Sequence, residues 1–139
     1  MKRRSLLYIG ISLAVFSATS LQKVNAQQRR GITRRVQFAP GASSFVINGA
    51  VTLGNQDAYI FRANKGQEII VDITWKGERV DRSDDQGLSG FTFITPDGQS
   101  YEHPQNDTFA ATTTGDYKVV IAQPYRLSNP RYIFKLTIR

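Results

Sequence analysis

Apolar side chains recur at every second position along most of this chain, and that period limits what it can build. Tyr132, Phe134, Leu136 and Ile138 alternate strictly with Ile133, Lys135, Thr137 and Arg139. Ile69, Val71, Ile73 and Trp75 form a second such row, with Glu68, Asp72 and Thr74 turned the other way. A period of two is the signature of a strand with one face buried, because successive side chains leave an extended backbone on opposite sides. Phe45 and Ile47 open another row that continues past Gly49 to Val51 and Leu53. Tyr59, Phe61 and Ala63 form the next, with Ala58 and Arg62 opposite, and Phe91 with Phe93 and Tyr117, Val119 and Ile121 add two more. No stretch after residue 36 carries the 3.6-residue period of an amphipathic helix.

Turn chemistry separates these rows. Gly54-Asn55-Gln56-Asp57, Asn64-Lys65-Gly66 and Pro96-Asp97-Gly98 are turn sequences. Residues 76–89 are charged, contain Gly77 and Gly87, and read as a long loop; 124–130 reads as another. Residues 99–103 and 109–113 read as short, weak strands. The expectation is an all-β fold of about seven or eight strands, an antiparallel, jelly-roll-like β-sandwich over 36–139. A closed barrel is the alternative.

The first 26 residues have a different character. Lys2, Arg3 and Arg4 precede an apolar stretch from Leu6 to Ala18, and Val24-Asn25-Ala26 supplies a small-x-small cleavage pattern. That is the layout of a signal peptide, and the apolar run falls short of the roughly 20 residues of a membrane span. Export is therefore expected, to the periplasm or beyond, with no transmembrane segment after cleavage. Arg3-Arg4-Ser5-Leu6-Leu7 also resembles a twin-arginine signal, so the export route stays open. Residues 27–35, polar and arginine-rich, read as a flexible basic arm.

The chain has no cysteine, so burial and strand pairing must supply all the stability in a compartment that would permit disulfides. A single domain of this length can be stable without such staples. The formal charge of +7 is misleading. Eight of the 18 Lys and Arg lie in the first 35 residues, which leaves ten basic against 11 acidic residues over 36–139. Nucleic-acid binding needs a basic face, and the near-neutral body offers none.

Little in the sequence is organised for catalysis. His103 is the sole histidine and stands beside Pro104, and there is no thiol nucleophile. Gly87-Leu88-Ser89-Gly90 lacks the glycine spacing of a nucleophile elbow. Asp81, Asp84 and Asp85 are the one dense carboxylate group. They read first as a solvated loop, then as an acidic patch for a basic protein, and last as calcium ligands, since the spacing is not that of an EF-hand loop and Arg79 and Arg82 offset the charge. No cofactor is expected. Tyr101, His103 and Tyr125 lie near loops, where they either pack normally or form a platform for sugars or a protein.

Several runs resemble small exported bacterial β-sandwich domains. Asp57-Ala58-Tyr59-Ile60-Phe61-Arg62-Ala63-Asn64-Lys65-Gly66-Gln67 is similar to their D-x-Y-x-x-x-A-x-x-G-Q stretch. Residues 93–98 resemble their F-x-I-x-x-P-x-G strand and turn, 114–121 their x-G-D-Y-x-I-x-V strand, and 132–138 their closing strand. Two groups share this frame: the pre-peptidase C-terminal domain, and the periplasmic inhibitors of invertebrate-type and goose-type lysozyme. The resemblance implies a non-catalytic binding domain. In the inhibitors a Ser-Gly-containing loop with an aromatic residue enters the lysozyme cleft ahead of the G-D-Y strand. The matching region here, residues 102–109, has no Ser-Gly.

Two partners follow from these readings. One is a lysozyme-like cell-wall enzyme, commonly basic, met by acidic loops that carry Asp81, Asp84, Asp85, Asp97, Glu102 and Asp107. The other is cell-wall polysaccharide, bound as an accessory module would bind it, by Tyr101, His103 and Tyr125. An exported structural domain without a soluble partner is the third reading.

Overall fold

The computed structural model describes residues 31–80 and 88–139. The expected leader, arm residues 27–30, and Asp81, Asp84 and Asp85 lie outside the described residues.

Nine strands run through the described residues, with no helix among them. They are β1 (Thr33–Arg35), β2 (Ser44–Ala50), β3 (Asp57–Ala63), β4 (Glu68–Trp75), β5 (Phe91–Ile94), β6 (Ser100–Glu102), β7 (Thr108–Ala110), β8 (Gly115–Ile121) and β9 (Arg131–Ile138). One sheet has the order β1-β3-β8-β5-β6 and the other β2-β9-β4-β7. Every pairing is antiparallel except β1 on β3.

The alternating rows decide how the sheets face. Tyr59, Phe61 and Ala63 of β3, Tyr117, Val119 and Ile121 of β8, and Phe91 and Phe93 of β5 point into the interior from the first sheet. Ile69 and Val71 of β4 and Tyr132, Phe134, Leu136 and Ile138 of β9 meet them from the second. Each such large side chain contributes about 1.5–3 kcal/mol by leaving water. Aromatic rings carry much of the packing. Phe93 stacks on Phe109 at 4.0 Å and lies 5.7 Å from Tyr117, while Tyr59 lies 4.9 Å from Phe134.

Three local expectations change. Residues 33–35, read as part of a flexible arm, form β1, a short parallel edge strand on β3. The physical reason is a set of bonds at and beyond the strand's ends. Ile32 N–H donates to Asp57 Oδ1 at 2.9 Å, Val36 N–H donates to the Ile60 carbonyl at 2.8 Å, and Arg35 pairs with Asp116 at 2.7 Å. Leu53, expected on a strand, lies past the end of β2 and is exposed. Asp57, expected in a turn, is the first residue of β3 and is only 3% exposed.

Asp57 is buried because it ends a chain of hydrogen bonds that crosses between the sheets. The Tyr132 hydroxyl, from the second sheet, donates to Asp57 Oδ2 at 2.6 Å. The Tyr59 and Tyr132 hydroxyls lie 2.8 Å apart. Tyr132 has a single proton and gives it to the carboxylate, so Tyr59 is the donor in that second bond. Gly49, opposite Tyr132 in register, makes the crossing possible. A Cβ at Gly49 would sit 2.4 Å from the Tyr132 ring and hydroxyl. Burial, together with the adjoining Asp57 and Tyr59, holds the Tyr132 phenol far above the ordinary tyrosine range, and burial raises Tyr59 as well.

The crossing can be tested by substitution and by titration. Tyr132→Phe leaves the Asp57 carboxylate and the Tyr59 hydroxyl short of a partner and lowers unfolding stability by about 2–3 kcal/mol, read by urea denaturation. Gly49→Ala lowers it by about 1–3 kcal/mol through overpacking. Both raised phenols are neutral in the fold, so their contribution is complete below the unfolded tyrosine pKa of about 10 and is lost as pH rises above it. Absorbance titration should show two phenols that ionise only together with alkaline unfolding.

Candidate functional site

The two strands that follow β5 lead to a cleft on one side of the sandwich. β6 is the outer strand of the first sheet and β7 the outer strand of the second, so residues 103–107 cross from sheet to sheet. His103 makes the turn that starts this crossing, with φ of +45°, the sole non-glycine residue with positive φ among those described. That conformation costs an L-residue on the order of 1–2 kcal/mol. Two bonds oppose the cost: His103 N–H donates to the Phe91 carbonyl at 2.9 Å, and His103 Nδ1 accepts from Gly90 N–H at 3.2 Å. An accepting Nδ1 puts the proton of the neutral ring on Nε2.

β7 is three residues long and β4 is eight. β7 pairs with Glu68, Ile69 and Ile70 alone, and one further bond runs from Val71 N–H to the Asp107 carbonyl at 2.8 Å. Beyond it the edge of β4 borders a cleft of about 340 Å³ lined by Val71, Ile73, Trp75, Ser89, Phe91 and Asp107, among others. Trp75 is held from three sides. Its indole packs edge-on against Tyr132 at 5.5 Å, its Nε1–H is directed at the Ser89 carbonyl at 3.5 Å, and Gly90 lies against it. Any Cβ at Gly90 would stand 2.7 Å from the indole nitrogen.

The residues singled out from sequence divide between two places. Tyr101, Glu102, His103 and Asp107 share the β6 segment and its crossing to β7. Tyr101 is exposed, its ring 6.5 Å from Phe93 and its hydroxyl donating to Gln99 Oε1 at 2.9 Å. Glu102 and Asp107 are exposed, and His103 is half-buried with Nδ1 committed to the backbone. Tyr125 belongs to the β8–β9 loop, where the Arg79 guanidinium lies 4.3 Å over its ring. That loop is bridged to residues 78–80, with Ser128 N–H donating to the Glu78 carbonyl at 2.8 Å. Among the described residues no three His, Asp or Glu side chains gather as metal ligands would.

Trp75 and the open edge of β4 went unnoticed in sequence. Trp75 ends an inward row and reads as core, which is half true, since one face of the indole meets Tyr132. No local signal reveals the open edge, because which strand lies beside 68–75 is decided by the tertiary structure.

Comparison with known proteins places this fold. No protein-family model matches the sequence, and no functionally curated protein matches it. Solved structures do. PliG of Aeromonas hydrophila, a periplasmic inhibitor of g-type lysozyme, aligns over 78% of this chain and 97% of its own, at 22% identity and a TM-score of 0.59. A mutant of the corresponding Escherichia coli inhibitor aligns over 79% of this chain and all of its own, at 21% identity and a TM-score of 0.60. The Salmonella Typhimurium inhibitor gives 20% identity and a TM-score of 0.59. The sandwich is the same in all of them.

His103→Ala removes the acceptor for Gly90 N–H and should lower stability by roughly 1 kcal/mol. His103→Asn should keep most of it, because asparagine tolerates positive φ and carries an acceptor. Thermal unfolding of the two variants checks the order; equal loss in both would contradict the backbone role of the ring.

Proposed function

We propose that this chain is an exported, non-catalytic binding protein that inhibits a lysozyme-like cell-wall enzyme. The observation that carries the reading is the extent of the likeness: the described sandwich aligns with nearly the whole length of three inhibitors of g-type lysozyme. The signal-like leader agrees with a periplasmic or secreted location.

The architecture suits inhibition by surface complementarity. A binding segment tied down before docking leaves few groups to order on association and so costs little entropy. The crossing segment 103–107 is held at both ends, by His103 on Phe91 and Gly90, and by Asp107 on Val71. Glu102 and Asp107 expose carboxylates there, where a basic enzyme would be steered. The segment has no Ser-Gly pair, so the lysozyme type it fits is set by a different loop chemistry from that of the inhibitors it resembles.

The test is turnover of bacterial cell walls by goose-type, invertebrate-type and chicken-type lysozymes with added mature protein. At least one type should be inhibited at micromolar concentration or below. Glu102→Gln combined with Asp107→Asn should slow association by up to about tenfold, an effect that shrinks as salt is raised. Full turnover of all three types at micromolar protein would remove the reading.

A further inference from the structure

Beyond β7, the edge of β4 has main-chain groups with no strand beside them among the described residues. Antiparallel pairing sends the N–H and C=O of alternate residues to opposite sides of a strand. Glu68 exchanges both of its bonds with Arg139 across the β9 side, and Lys76 N–H donates to the Arg131 carbonyl. Residues 69, 71, 73 and 75 therefore face away from β9. β7 takes up Ile69, and the Asp107 carbonyl takes up Val71 N–H. Among the described residues, none takes up the Val71 carbonyl or the N–H and C=O of Ile73 and Trp75, which lie in line with β7 on the wall of the cleft. Ser89 Oγ, also in the lining, is buried with no partner.

The geometry points to this cleft as a docking site for an extended, lysine- or arginine-bearing segment of a protein partner, added to β4 as a guest strand in the line β7 would follow if it were longer. The main-chain groups of Ile73 and Trp75 supply the ladder. The sign of the charge comes from the walls: Asp72 and Asp107 are the charged residues of the lining, with no cation among them. Asp72 stands opposite Lys135 in register, whereas among the described residues the Asp107 carboxylate accepts from the neighbouring Thr108 hydroxyl and faces no cation, so Asp107 is the stronger anchor. The indole of Trp75 adds an apolar and cation-accepting wall. Natural sheets blunt such edges with Lys, Pro or bulges. The run Val71-Asp72-Ile73-Thr74-Trp75, in which Asp72 and Thr74 are exposed, has none of these, and its pairing with β9 continues without a break.

The inference rests on the reading of the chain as a binding protein, but its test needs no lysozyme, so one can fail without the other. Trp75 is the sole tryptophan, and its emission reports the cleft directly. The full mature protein is titrated with a blocked hexapeptide of alternating valine and lysine, with the valine–glutamate version, and with a lysine version N-methylated at alternate residues. Amide exchange at Ile73 and Trp75 is followed by NMR. The lysine peptide should give a saturable change with Kd below about 1 mM. It should slow exchange at both amides, and Asp107→Asn should weaken it about five- to tenfold. Absence of saturation at millimolar peptide overturns the proposal. So does equal binding of the glutamate or N-methylated peptide, or a response that leaves both amides unprotected. Protection that rises with protein concentration alone also overturns it, by making a second copy of the chain the occupant.

Discussion

The bonds of the Tyr132 hydroxyl to the Asp57 carboxylate and to the Tyr59 hydroxyl join two sheets whose facing surfaces are otherwise largely apolar. Apolar packing is non-directional, so it leaves the relative slide of two sheets weakly specified. A buried carboxylate is different. It demands its partners, and the partners found here are a phenol from the opposite sheet and the N–H of Ile32. Those two bonds set the register of one sheet over the other and tie residues 31–35 to the domain. The arrangement depends on Gly49, since any larger residue would occupy the path of the Tyr132 ring.

The same tyrosine supports the wall of the cleft. Trp75 leans on the Tyr132 ring from the cleft side, so its position follows from the crossing between the sheets. Gly90 and His103 complete its surroundings, the glycine by leaving room for the indole and the histidine by fixing the backbone that carries Gly90. A cleft wall built this way has its supports in the core, and a wall fixed in advance reduces what must be ordered when anything docks on it. Loops carry the variable chemistry on a frame that changes little. The sandwich here is shared with structures only about 20% identical to it, so the frame tolerates wide change in sequence.

Legibility differed by residue, for physical reasons. Tyr59, Phe61, Tyr117, Val119, Phe134 and Leu136 were assigned inward from alternation, and all are buried, because strand geometry maps sequence parity onto sheet face. Asp57 was misread because aspartate after Gly-Asn-Gln is turn chemistry locally; its burial depends on a tyrosine 75 positions away. β1 was misread because a polar, arginine-rich segment has no hydrophobic period, and its pairing is made by backbone and by Asp116. Of the candidate binding residues, Tyr101, Glu102, His103 and Asp107 came together because they are near in sequence; Tyr125 belongs to another loop.

By itself the sequence determined the strands other than β1, their inward faces, the absence of disulfide support and the signal-like leader, because each depends on residue identity and short-range spacing. Tertiary structure alone decided which strands are neighbours and which polar groups are buried in pairs. It also decided where an eight-residue strand outruns its three-residue partner and leaves an edge open. Those features arise from meetings between residues tens of positions apart, and no local period encodes them.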